Sequence, residues 1–154
     1  MKLPARVLYL GLAMLLTLPL RAQTRVNFCD LIRNPEAYDG KTITVRATYR
    51  YGFEWSELYC LECLDKGKAW LELPSTLDDA STKQLKLTPK GAGIVNLTVT
   101  ATFESGGHFG HMGYRYKFVA SQIADVAVLS KGMKSIAEEK GVEQRWACGG
   151  TDPK

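Results

Sequence analysis

An all-β domain of five strands, with short helices at its edges, is what this sequence predicts, and three observations carry the prediction. Residues 42–51 set Ile43, Val45, Ala47, Tyr49 and Tyr51 in strict alternation with Thr42, Thr44, Arg46, Thr48 and Arg50, the period-two pattern of a half-buried strand. Residues 95–104 repeat it, with Val95, Leu97, Val99, Ala101 and Phe103 alternating with Asn96, Thr98, Thr100, Thr102 and Glu104. Around these two runs, Gly52, the turn at 65–68, Pro74 and the glycine-rich stretch 106–113 bound further short strands.

The elements follow in order. Residues 27–33 read as a short helical turn with Asn27 as its cap, and Asn34-Pro35 starts another, since proline is tolerated in the first helical turn. Asp39-Gly40 closes this lead-in, which spans residues 23–41, and the first strand follows over 42–51. Gly52 breaks it. Residues 55–59 make a return strand, 65–68 a turn, and 69–73 a third strand before Pro74. Leu77, Ala80 and Leu87 suggest a short helix within 75–93, followed by a Pro/Gly loop. The fourth strand is 95–104. After the glycine-rich stretch 106–113, Tyr114, Tyr116, Phe118 and Ala120 alternate with Arg115, Lys117 and Val119 as a fifth strand that resumes over 126–129. Residues 133–140 form a short helix ended by Gly141. The tail after it has no pattern, so 130–154 is expected to be a short helix and a loose end.

Three strands, a longer connection and two more strands is the order of an OB-fold, a small five-stranded Greek-key barrel, here over residues 42–129. The segment Asn34-Pro35-Glu36-x-Tyr38-Asp39-Gly40-Lys41-x-Ile43-x-Val45-x-Ala47 resembles the opening of exported bacterial OB-like domains of unknown function. Those in turn are similar to the anticodon-binding type of OB domain, in which a small residue, often Gly, stands at the place of Ala47. The resemblance covers roughly residues 28–129. It implies the fold and brings no catalytic residues with it.

The length, 154 residues, suits one domain. Residues 1–22 are built differently from the rest. Lys2 and Arg6 precede an apolar run from Val7 to Leu20, and small Ala22 offers a cleavage point, the layout of a secretory signal peptide. An uncleaved anchor is the alternative, but the run is shorter than the roughly 20 apolar residues of a spanning helix. The expected location is therefore periplasmic or secreted, with no membrane span after cleavage. The whole chain carries 20 Lys+Arg against 16 Asp+Glu, a net charge of +4. Without Lys2, Arg6 and Arg21 the count is 17 against 16 and the net charge +1, too little to favour nucleic acid as a partner.

Cys29, Cys60, Cys63 and Cys148 are an even set in an exported chain, and so disulfide candidates. Three pairings are open, and a bridge from Cys29 to Cys60 or Cys63 would tie the lead-in to the body. Cys60-Leu-Glu-Cys63 is also the spacing of a redox pair or half a zinc site, and His108 and His111 would complete a Cys2His2 set. In the expected barrel, however, the loops holding the two pairs lie at opposite ends, about 17 Å apart at about 3.3 Å per residue. No metal and no cofactor are therefore expected.

The same topology puts loop 52–55 and loop 104–113 at one rim. Phe53, Trp55, His108, Phe109, His111 and Tyr114 are then candidate ligand-binding residues, with Met112 beside them and Arg50 and Tyr51 at the edge. Aromatic groups stack on sugars, bases or side chains. The competing reading is that they plug the open end of the barrel. No phosphate-binding glycine loop or nucleophile motif appears. The expected function is thus a non-catalytic binding module of the cell envelope, whose ligand is a protein, peptide or glycan. A single-stranded nucleic-acid-binding domain is one alternative. A small redox or metal-handling protein using Cys60/Cys63 or His108/His111 is the other.

Overall fold

In the computed structural model, which describes residues 24–132 and Cys148, the chain begins with a two-residue strand β1 (Thr24–Arg25) and helix α1 (Phe28–Arg33). A 3-10 turn (Pro35–Ala37) leads to β2 (Thr42–Tyr51) and β3 (Ser56–Tyr59), and a second such turn (Leu61–Cys63) to β4 (Ala69–Glu72). Helix α2 (Asp79–Leu85), β5 (Gly93–Phe109) and β6 (Tyr114–Lys131) complete it. The expected signal peptide at 1–22, the helix at 133–140 and the tail except Cys148 lie outside the described residues.

The strands form one mixed sheet in the order β1-β2-β3-β4-β6-β5, and β2 also pairs with β5, so the sheet closes into a ring. Around the ring the pairs are antiparallel except β4–β6, which is parallel. β1 is an addition the sequence reading lacked. It runs parallel to the start of β2, with Thr24 beside Ile43, on the side that the shorter β3 does not reach.

Alternation along β2 and β5 sends one face inward. Ile43, Val45, Ala47 and Tyr49 meet Val95, Leu97, Val99, Ala101 and Phe103 in a core that also takes Leu58, Ala69, Leu71, Phe118 and Ala120. α1 contributes Phe28 and Leu31, both fully buried. Phe28 stacks on Phe118 at 6.0 Å, and Phe118 meets Phe103 edge-on at 5.2 Å, geometries that add about 0.5–1.5 kcal/mol each beyond area burial. Asn27 caps α1 as expected, its side chain accepting from the Cys29 and Asp30 amides at 2.7 and 3.3 Å.

Strand ends differ from the sequence reading by a residue or two, and two larger differences turn on bulges. β5 continues through the glycines to Phe109, because a register shift between Ser105 and Phe109 absorbs Gly106 and Gly107, with Gly106 at φ +74°. β6 is one strand of 18 residues and not two pieces. Its alternation slips at Asp125, a non-glycine residue at φ +53°, whose carboxylate accepts from the Thr98 hydroxyl at 2.8 Å. Beside that bulge, α2 covers the strand edge. Ser81 Oγ accepts from the Ile123 amide at 2.8 Å, and Gln84 Oε1 from the Val126 amide at 3.1 Å. These side chains stand in for the neighbouring strand that β6 lacks there.

The expected placement of loops is overturned. Tyr51 pairs with Gly93, at the start of β5, whereas Phe109 pairs with Tyr114 at its far end. The 52–55 turn and the β5–β6 hairpin therefore leave the ring at opposite ends. The hairpin shares its end with the β3–β4 connection, where a Cβ on Gly67 would lie 3.3 Å from the Tyr116 ring. Because β2 and β5 are antiparallel, the end of β2 lies beside the start of β5, so the loops that follow the two strands leave at opposite ends.

Candidate functional site

The outward positions of the ring line up as a row. Arg50 on β2 is paired with Glu57 on β3, Glu57 with Trp70 on β4, Trp70 with Lys117 on β6, and Lys117 with Glu104 on β5. Directly opposed residues share a sheet face and touch, so one surface carries a basic, an acidic, an aromatic, a basic and an acidic side chain in succession.

Glu57 is the centre of this row and is only 2% exposed. An isolated buried carboxylate would be costly, but this one is surrounded by donors. Arg50 forms an ion pair with Oε1, and Lys68 reaches the same oxygen at 3.0 Å. Tyr114 donates its hydroxyl to Oε2 at 2.7 Å. Burial, followed by the hydrogen bond to Glu57 and its charge, pushes the Tyr114 hydroxyl well above the usual tyrosine range. Lys117 is held by Glu104 at 3.0 Å and Glu72 at 3.6 Å. Burial works against its charge, but the bonds and charges of the two carboxylates prevail and raise its pKa.

Aromatic rings cover the charges. The Arg50 guanidinium lies 5.4 Å from the Trp55 ring centre, and the Lys117 ammonium 5.0 Å from that of Phe109, within cation–π reach. Trp70 and Tyr114 are tilted by 40° with centres 6.0 Å apart. The hairpin turn closes over them. A Cβ at Gly110 would fall 2.4 Å from Cε3 of Trp70, so the Gly110 backbone rests directly on the indole.

The rim expected from the sequence is thus not where the candidate residues meet. Trp55 and Tyr114 do belong to one surface, joined through Arg50 and Glu57, because the long hairpin brings Tyr114 onto the outer side of β3 and β4. Phe109 joins it through Lys117. Phe53, at the tip of the other turn, is fully exposed, and Met112 is 62% exposed. His108 and His111 are exposed as well. The His108 ring sits against Gly113, where a Cβ would come within 2.3 Å of it. Tyr51, expected at the edge of the rim, is a structural strut: its hydroxyl donates to the Pro89 carbonyl at 2.5 Å.

Glu57, Lys68, Trp70 and Lys117 were missed. A signal for one of them was in the sequence. A four-residue connection at 52–55 sets Arg50 opposite Glu57, and opposite charges at such a position mark a cross-strand pair. Trp70 needed the β4–β6 pairing, which no local pattern shows.

The cysteines form two bridges, Cys29–Cys63 and Cys60–Cys148. The first is among the ties expected between lead-in and body. Cys60 and Cys63 therefore do not bridge each other, so the Cys-x-x-Cys spacing is not an internal redox pair. The sulfurs of Cys29, Cys60 and Cys63 lie within 4.8 Å of one another, and this crowding comes from two adjacent disulfides. The separation of cysteines and histidines by strand order, argued from the sequence, fails with the loop placement. A bridged sulfur is nevertheless no thiolate ligand, and among the described residues no other group of three or more His, Cys, Asp or Glu comes close enough to share an ion. No helix among the described residues is long and apolar enough to cross a membrane.

No protein-family model matches the chain, and neither a curated protein nor a solved structure does.

Proposed function

We propose that this protein is an exported, non-catalytic binding module of the cell envelope, built on an OB-type five-stranded Greek-key barrel with β1 appended. Its ligand, a protein, peptide or glycan, lies on the outer face of β3 and β4, between Trp55 on one side and the β5–β6 hairpin on the other. The strand order of the ring and its single parallel pair support the barrel assignment, since OB domains use the face of their second and third strands with the flanking loops. Two disulfides support an oxidising compartment.

The observation that carries the reading is the row Arg50–Glu57–Trp70–Lys117–Glu104, where aromatic platforms stand over charges that are already paired. Such a face offers stacking surface and fixed polar groups, and the row's own cations, Arg50 and Lys117, are paired. That same pairing disfavours single-stranded nucleic acid, whose binding depends on cations left available to phosphates.

Capture from envelope extract by the wild type and by a Trp55→Ala/Trp70→Ala variant tests the reading, with thermal midpoints followed in parallel. Loss of capture at an unchanged midpoint supports it. Equal capture by both forms refutes it, and a collapse of stability assigns the two tryptophans to packing.

A further inference from the structure

The β5–β6 hairpin makes, with its own sheet, the two contacts that a sugar ring makes with a binding face. Gly110 lays a carbon bearing only hydrogens against the Trp70 indole, so close that no Cβ fits. Tyr114 gives an O–H to a carboxylate oxygen of Glu57 at 2.7 Å, while the other oxygen is occupied by Arg50 and Lys68. An aromatic face for C–H groups beside a fixed acceptor for a hydroxyl suits a pyranose, whose surface alternates C–H and O–H. The row's cations Arg50 and Lys117, with Lys68 beside them, are matched by the carboxylates of Glu57, Glu72 and Glu104. A charged ligand that bonded one of these groups would compete with its present partner, and an uncharged one need not.

We propose that the Trp70–Glu57 face is a subsite for a neutral saccharide and that the hairpin, residues 110–114, is its built-in competitor. The proposal rests on the binding-module reading above and narrows its ligand. The hairpin is suited to moving as a unit. The ladder is interrupted between Ser105 and Phe109, and Gly110 and Gly113 in the turn stand at φ +63° and +67°. In the closed form the subsite is filled from within, so a saccharide binds only the open fraction, and its apparent affinity is reduced by that fraction.

Two glycines provide a matched test. Gly110 and Gly106 have similar positive φ, so alanine strains the backbone comparably at each, but only at Gly110 would the new methyl strike the Trp70 ring; at Gly106 nothing lies within 4 Å. Calorimetric titration with chitotriose, cellotriose and maltotriose is the measurement. At least one should bind the wild type weakly. Gly110→Ala and Tyr114→Phe should each tighten it roughly tenfold, the scale of one hydrogen bond to a charged group, and Gly106→Ala should leave it unchanged. Hydrogen exchange reports the opening directly: amides of 105–114 should exchange faster in Gly110→Ala than in Gly106→Ala, with β2 still protected in both. Tyr114→Phe adds no backbone strain and covers the case in which Gly110→Ala disturbs the fold. If no trisaccharide binds either opened variant, the saccharide assignment is overturned. If binding occurs but opening leaves it unchanged or weaker, the competitor role is overturned. Either failure is distinct from that of the broader reading, which falls only if the Trp55→Ala/Trp70→Ala form still captures what the wild type captures.

Discussion

Replacing Glu57 by Gln is the sharpest test of how the outer row is held together. Glutamine keeps the shape and an oxygen to accept from Tyr114, but removes the charge and sets an amide donor where Oε1 met Arg50 and Lys68. The Glu57 side chain is 3% exposed, Arg50 13% and Lys68 24%. Arg50 is packed under Trp55 and cannot turn to water without uncovering it, and its Nε is already buried without a hydrogen-bond partner among the described residues. Breaking a buried pair on one side costs about 3–5 kcal/mol, whereas a quarter-exposed lysine that can swing outward accounts for about 1 kcal/mol or less. The expected loss for Glu57→Gln is therefore about 3 kcal/mol, and for Lys68→Met about 1 kcal/mol at most. A chain of this size loses roughly 4 °C of Tm per kcal/mol, so the Gln variant should melt roughly 10 °C lower. Urea unfolding with disulfides intact gives midpoint and slope together and shows whether the transition stays cooperative. The double replacement Arg50→Met/Glu57→Met removes both charges and should recover most of the loss, because a buried pair is often worth little against apolar side chains of similar volume. A Gln variant within about 1 kcal/mol of wild type, or a Lys68→Met variant that costs as much as Glu57→Gln, would refute this account.

The bridges close loops of 34 and 88 residues. Chain-entropy arguments assign them roughly 4 and 5 kcal/mol, so the Cys29→Ser/Cys63→Ser variant should be destabilised somewhat less than Cys60→Ser/Cys148→Ser; the reverse order in urea would show that native packing, not loop length, sets their effect. Ser81→Ala leaves the Ile123 amide without its acceptor, which costs about 1–3 kcal/mol for a buried donor. Hydrogen exchange should accelerate first at residues 123–126, and uniform acceleration across the sheet would contradict the edge-covering role of α2. Burial raises the pKa of Tyr49, and burial with the Glu57 bond raises that of Tyr114, both above 10.0. A group whose folded pKa is raised contributes stability that is complete below its unfolded value and lost as pH rises through the folded one. Stability should therefore fall above pH 10, and less steeply in Tyr114→Phe; equal slopes in urea titrations at pH 9–11.5 would show that Tyr114 is not linked.

What the sequence disclosed and what it withheld divide along the range of the interactions involved. Period two over residues 42–51 and 95–104 depends only on which face is buried, so both strands were legible residue by residue. The Asn27 cap is a contact across two or three residues and was equally visible. The continuity of β5 through Gly106 and Gly107, and of β6 through Asp125, depends on bulges that let a strand survive a break in its pattern, so the sequence showed the break and not the strand. Loop placement failed for another reason. The strands flanking both loops were placed in the sequence, but the end of the ring at which a loop emerges depends on strand direction traced through every pairing. Trp55 and Tyr114, which the sequence reading placed together at a rim, instead share the outer surface through Arg50 and Glu57, a contact that was not foreseen.

That correction changes the shape of any ligand. A rim at one end would have favoured a compact group dropped into the mouth of a barrel. A row running from Arg50 on β2 to Lys117 on β6 instead crosses three inter-strand spacings, about 14 Å at about 4.8 Å per strand. A ligand touching both Trp55 and Phe109 must therefore be elongated and lie across the strands, over Glu57 and Trp70. The strands supply its register only through side chains, since the backbone groups of β3 are used by β2 and β4 on either side. Main-chain pairing of the kind that recognises an extended peptide at a sheet edge is consequently closed to a ligand on this face. Recognition there has to come from stacking on the aromatic rings and from hydrogen bonds to the fixed charges between them.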